Sequence, residues 1–214
     1  MSEDIVVRGR NELSVLRKIV KEKPGFKQNG NAENTSLWYL PKSSAGPMTS
    51  LGEVVVKGSV SLDRIIDVIT NLSTKGQWDP EYLRGCEISR RTIDSNTWVR
   101  TAWTASKGKS SVAGRDFVVN SLSHKMSEDS WSIVSWSVEG SECPAEYLPK
   151  VPSPGHVRAK VFLAGFHAEK TNEGDWKISL ANQVDIGISS WLADPVLMKN
   201  PAILNRIKVV LENS

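Results

Sequence analysis

The chain has 214 residues, 39% hydrophobic and 24% charged, a balance that suits one globular domain with a single large core. Its longest apolar run, VFLAGF (Val161 to Phe166), falls far short of the ~18 residues that span a bilayer, and the opening MSEDIVVRGR is charged where a secretory signal is apolar. The net charge of +3 comes from residues 1–30, where seven Lys or Arg meet four acids; the neutral remainder argues against a nucleic-acid surface. For the basic segment two readings stand, a solvated helix face and weak attraction to anionic lipid. The two cysteines, Cys86 and Cys143, give no disulfide framework and fit a reducing, cytoplasmic compartment.

In chain order, NELSVLRKIV sets Leu13, Leu16, Ile19 and Val20 on one helical stripe that Pro24-Gly25 stops, so residues 1–30 read as an N-terminal helical segment. Residues 25–36 read as loop, with NGNAEN as its turn chemistry. EVVVKGSV is a strand with Val54, Val56 and Val60 on one face. Ser61 then caps a helix whose Leu62, Ile65, Ile66, Ile69 and Leu72 form a buried face. From Cys86 to Ile188 the period is mostly two: six runs, from CEISRRTI to WKISLANQVDI, separated by polar or Gly-bearing gaps, predict an antiparallel meander. The exception is residues 139–155, where four prolines and no alternation mark a long connection.

The last segment, residues 190–214, is helical again, with Ile203, Leu204, Ile207, Val210 and Leu211 on one side. Pro195 and Pro201 leave two options, a start near Ser190 with a kink at Pro201 or a start near Asn200. The class is therefore α+β. A curved sheet covered by one terminal helix encloses volume, and small strand residues (Ala102, Ser121, Ser123, Ala159, Gly165) leave room there for a cavity.

Four stretches in register carry a family resemblance: GQWDP (Gly76 to Pro80), GRDFVV (Gly114 to Val119), CPAEYLPKVPSPGHVRAKVFLAGF and NQVDIGISSWL. With them the chain resembles the StAR-related lipid transfer (START) domain over nearly its whole length. The resemblance implies a helix-grip fold: a curved antiparallel β-sheet wrapped around a long C-terminal α-helix that acts as a lid, with an internal cavity for one lipid. It implies non-vesicular lipid transfer by a monomer in the cytoplasm, peripheral to membranes, with a phospholipid or sterol-like ligand, transient membrane contact and no cofactor. A lipid-sensing module is the alternative.

In phosphatidylcholine-binding members a basic residue three before the motif Trp78 and the acid after it meet the lipid phosphate; the matching positions are Lys75 and Asp79. The plainer reading of these two is a surface i, i+4 pair. Sterol-binding members resemble one another in a buried acid and arginine; Ser121 stands at the arginine's position and no acid stands near Ala102. Further lipid-binding candidates are Trp103, Trp136, Asn182, Leu204, Ile207 and Leu211, with Tyr147, Leu148 and Val151 as membrane contacts. Trp98 and Trp103 face opposite ways on one strand, so at most one lines a cavity. Arg115 and Asp116 also point to opposite faces, so each needs a partner elsewhere, and they read as scaffold. An enzyme is the remaining alternative, but His124, His156 and His167 show no metal-ligand spacing and no nucleophile or phosphate-loop motif is present, so neither a catalytic nor a metal site is expected.

Overall fold

A helix, α1 (Glu3–Glu22), opens the computed structural model, which describes residues 3–44, 46–108, 112–138 and 156–213. It begins well before the stripe at Leu13 and ends where Lys23 adopts a left-handed φ of 48°. The stretch expected as loop is instead a hairpin of β1 (Lys27–Ala32) and β2 (Thr35–Leu40). Its first strand, KQNGNA, is polar and exposed nearly throughout, so no alternation announces it. Next come β3 (Thr49–Val56) and α2 (Leu62–Thr70), where Ser61 Oγ accepts from the Arg64 amide as its cap.

The central run comprises β4 (Tyr82–Asp94), β5 (Thr97–Ser106), β6 (Gly114–Ser127), β7 (Ser130–Ser137), β8 (His156–Arg158), β9 (Lys160–Lys170) and β10 (Trp176–Asp185). It departs from a plain meander in two ways. The sheet order is β1-β2-β3-β10-β9-β7-β6-β5-β4, so the early strands attach beyond β10, and the short β8 pairs in parallel with the start of β6. The C-terminal segment is divided: α3 (Ser190–Lys199), a 3-10 turn (Asn200–Ile203) and α4 (Leu204–Glu212). Pro201 at the head of that turn supplies no amide to continue α3, while Pro195 sits inside α3 on its exposed side.

Both faces of the sheet are covered, where the sequence suggested one covering helix. On the inner face, Leu204, Ile207 and Leu211 of α4 and Leu62, Ile65 and Ile69 of α2 join Val54, Val56, Trp131, Ile133, Trp176, Ile178 and Leu180 in the largest core cluster. On the outer face, Val6, Leu13, Leu16 and Val20 of α1 pack on Val99, Leu122, Val134, Trp136 and Leu163. Glycine permits the closest approaches: a Cβ on Gly9 of α1 would lie 2.6 Å from Leu122, and one on Gly52 of β3 would lie 2.6 Å from Pro201. Beneath the C-terminal half of α1 the outer face carries a polar row, Thr97, His124, Ser132, His167, Ser179 and Glu53, on six adjacent strands. His167 is buried in this row and bonded to Ser132 at 2.9 Å. No described helix is long and apolar enough to cross a membrane.

Candidate functional site

Strand residues of one parity share a face, so the pairing registers sort the inner face into transverse levels. The first level runs Trp98, Ser123, Ile133, Phe166, Leu180 and Gly52. This level is filled with protein: Trp131 Nε1 donates to Ser123 Oγ at 2.8 Å, and Ile133 and Leu180 belong to the cluster under α4. The next level runs Arg100, Ser121, Ser135, Ala164, Asn182 and Ser50. The level beyond it begins Ala102, Val119, Ser137. Within one step along the strands the floor changes from large and apolar to small and polar.

Among the described residues, two hydrogen bonds between side chains hold that floor. Ser121 and Ser135 join hydroxyls at 2.8 Å, and Asn182 Nδ2 donates to Asn200 Oδ1 at 2.8 Å. The second ties the floor to the first residue of the 3-10 turn between α3 and α4, so the partner of Asn182 is a side chain of the closing segment. Leu204, Ile207 and Leu211, expected against ligand, are buried against protein at the closed end.

At the β4–β5 end the level terminates in charge. Lys75 Nζ pairs with Asp79 at 3.0 Å and lies 3.9 Å over the ring of Trp78. Trp78 is buried, donates from Nε1 to the Val68 carbonyl at 2.8 Å and meets Phe166 edge-on at 6.3 Å. Burial pulls the Lys75 ammonium below its ordinary pKa, with Asp79 opposing the shift and Arg100 adding to it. Arg100 is only 9% exposed; its Nη1 donates to the Thr70 carbonyl at 2.7 Å, and burial lowers its pKa against the pull of Glu87. It lines a groove of about 670 Å³ between α2 and β4, walled by Ile66, Thr70, Leu72, Cys86 and Arg90. A smaller cavity of about 290 Å³ lies beside α1, lined by Arg8, Glu12 and Leu163.

Arg115 and Asp116 have separate partners. Asp116 is fully buried and accepts from Arg158 Nε at 2.9 Å and Nη2 at 2.7 Å and from Trp103 Nε1 at 3.0 Å. Arg115 donates to the carbonyls of Ile186 at 2.5 Å, Gly114 at 3.3 Å and Ala113. That places Trp103 in the scaffold. Trp103 shares strand parity with Val99, and Trp136 lies directly under α1, so both are on the outer face, away from the closing helix; the inner-face tryptophan of β5 is Trp98.

Tyr147, Leu148 and Val151 lie outside the described residues. Sequence reasoning passed over Arg100, whose signal was a charge at the inward position between Trp98 and Ala102. It also passed over Trp191. That residue is 75% exposed on α3, and Leu192 and Val196 are exposed on the same arc of the helix. Among the described residues no group of three or more His, Cys, Asp or Glu is placed to hold a metal ion.

The START domain family model matches residues 11–197. Among solved structures, human StAR-related lipid transfer protein 5 superposes with a TM-score of 0.78 at 18% identity, covering 100% of this chain and 97% of that one. The lipid transfer and protein localization domain of human StarD13 (DLC2) gives 0.69 at 19% identity over 93% and 95% of the two chains. Human STARD10 gives 0.73 at 17% over 91% and 76%. A search of curated proteins returned no match.

Proposed function

This chain belongs to the START domain family and has its helix-grip fold, and we propose that it holds one lipid molecule on the inner face of the sheet and carries it between membranes. The observation that carries the reading is the abrupt thinning of the floor from the Ile133–Leu180 level to the Ser121–Asn182 level, beside a closing segment hinged at a 3-10 turn. In support, relatives of the same fold are named for lipid transfer. A phospholipid fits better than a sterol. Ser121 spends its hydroxyl on Ser135, and Ala102 offers no charge, whereas Lys75 and Asp79 sit as a desolvated pair at the end of the floor.

Loading requires the closing segment to lift. Its ties are the Asn182–Asn200 bond and the contact of Pro201 on Gly52. The membrane contact in this reading is α3, with Trp191, Leu192 and Val196 entering the interface, where an amphipathic indole ring is favoured. The protein then works as a monomer, cytoplasmic and peripheral. Transfer of a fluorescent phospholipid from donor to acceptor vesicles tests this, with acceleration by the protein as the expected result. Stable lipid binding without faster transfer would replace the carrier with a sensor, and chemical conversion of the extracted lipid would replace both with an enzyme.

A further inference from the structure

Arg100 is nine-tenths buried, yet its donors are underused. Nη1 reaches the Thr70 carbonyl, while Nε is buried with no hydrogen-bond partner among the described residues. Its nearest acid among the described residues, Glu87, stands 3.8 Å away, beyond hydrogen-bond range, and is 3.6 Å from Arg90, with which it is shared. The other acids nearby are engaged or peripheral: Asp79 pairs with Lys75, Asp67 bonds Arg64 and Asn71, and Asp63 and Asp67 are exposed on the α2 wall. A buried guanidinium in this condition calls for an acceptor carrying negative charge.

The tryptophan rings at this end add a second constraint. Trp98 is covered by the guanidinium of Arg90 at 4.1 Å and faced by that of Arg100 at 5.4 Å, and Trp78 is covered by Lys75 at 3.9 Å. A quaternary ammonium held by cation–π contact needs those ring faces free. Here it would meet the chain's own cations.

We infer that the site selects a lipid whose headgroup is a phosphate bearing no cationic substituent, with Arg100 as its principal partner. The inference rests on the lipid-binding reading above. Arg100 would donate from Nε to a phosphate oxygen, and Lys75, paired with Asp79, would add a point charge.

The test uses the purified chain and vesicles of neutral carrier lipid doped in turn with fluorescent phosphatidic acid, phosphatidylglycerol, phosphatidylcholine or a sterol. Loading of the wild type is expected to favour the first two over phosphatidylcholine by about tenfold. The phosphatidic acid and phosphatidylglycerol arms separate a phosphomonoester from an uncharged-substituent phosphodiester. Arg100→Gln should erase the preference, lowering phosphatidic acid and phosphatidylglycerol loading to the level of phosphatidylcholine, and Arg100→Lys should keep part of it. Equal wild-type loading of phosphatidylcholine and phosphatidic acid, or a preference that survives R100Q, overturns the inference while leaving lipid carriage intact. Loading of none of the four lipids overturns the lipid-binding reading and the inference with it. Should R100Q not fold, the wild-type preference and R100K decide the matter.

Discussion

Asp116 and Arg158 face each other across the parallel β6–β8 pair and join through two hydrogen bonds, at 2.9 and 2.7 Å. With the Trp103 indole as third donor, the buried carboxylate accepts three hydrogen bonds on the side away from α4. The adjacent Arg115 and Asp116 are thus two separate clamps: one ties β6 to the segment after β10 through the Ile186 carbonyl, the other ties it to β8. Removing the carboxylate takes away the acceptor of two Arg158 donors and of the Trp103 indole N–H. Asp116→Ala should cost about 2–4 kcal/mol, a fall of about 5–15 °C in melting temperature for a chain of this size, with lipid preference unchanged in the protein that remains folded. Unaltered melting with lost lipid loading would move Asp116 from scaffold to site.

His167 makes stability depend on acid. Burial holds its imidazole below the ordinary 6.5, reinforced by Lys21 and Arg17 and opposed by Glu169, 3.7 Å from Nε2. The unfolded chain therefore binds the proton more readily. Stability that is complete above 6.5 is lost as pH falls through that value toward the lower folded one. His124, lowered by burial and by Arg17, acts in the same direction. His167→Asn should melt earlier near neutrality and lose less between about pH 7 and about pH 5 than the wild type, read from melting curves across that range. An unchanged slope would exclude His167 as the source.

Trp191 is exposed and makes no core contact, so Trp191→Ser should leave the melting temperature within about 1–2 °C of wild type. Sedimentation with vesicles should weaken by about tenfold or more, since burying an indole is worth about 2 kcal/mol. Binding that is insensitive to this substitution and to Val196→Ser would remove α3 from the membrane contact.

Gly52→Ala places a methyl 2.6 Å from Pro201 Cβ and 3.2 Å from its carbonyl oxygen. Overpacking of this kind costs about 1–3 kcal/mol and acts at the turn that seats the closing segment. Faster amide exchange in α3 and α4, with β6 and β7 unaffected, is the expected signature. Uniformly faster exchange across the sheet would show a general loss of stability instead.

The sequence pattern made α2 legible because cap and apolar spacing agree, and it made the long strands legible because their outer and inner rows alternate. It hid β1, whose polar residues pair with β2 without burying anything. It also hid the sidedness of the tryptophans. Alternation fixes that Trp98 and Trp103 oppose each other, but which face receives α1 and which receives α4 is decided by contacts far apart in sequence, such as Leu16 against Gly165. The C-terminal prolines marked a break whose extent, a full 3-10 turn, depends on how Pro201 seats on β3.

The floor level from Arg100 to Asn182 borrows one residue from each of five neighbouring strands. No contiguous segment owns it, so exchanging a loop or a helix with a relative will not transplant cargo choice. In the proposed lipid-binding role, substitutions at these positions would alter ligand choice one at a time, since the folding core lies one level away.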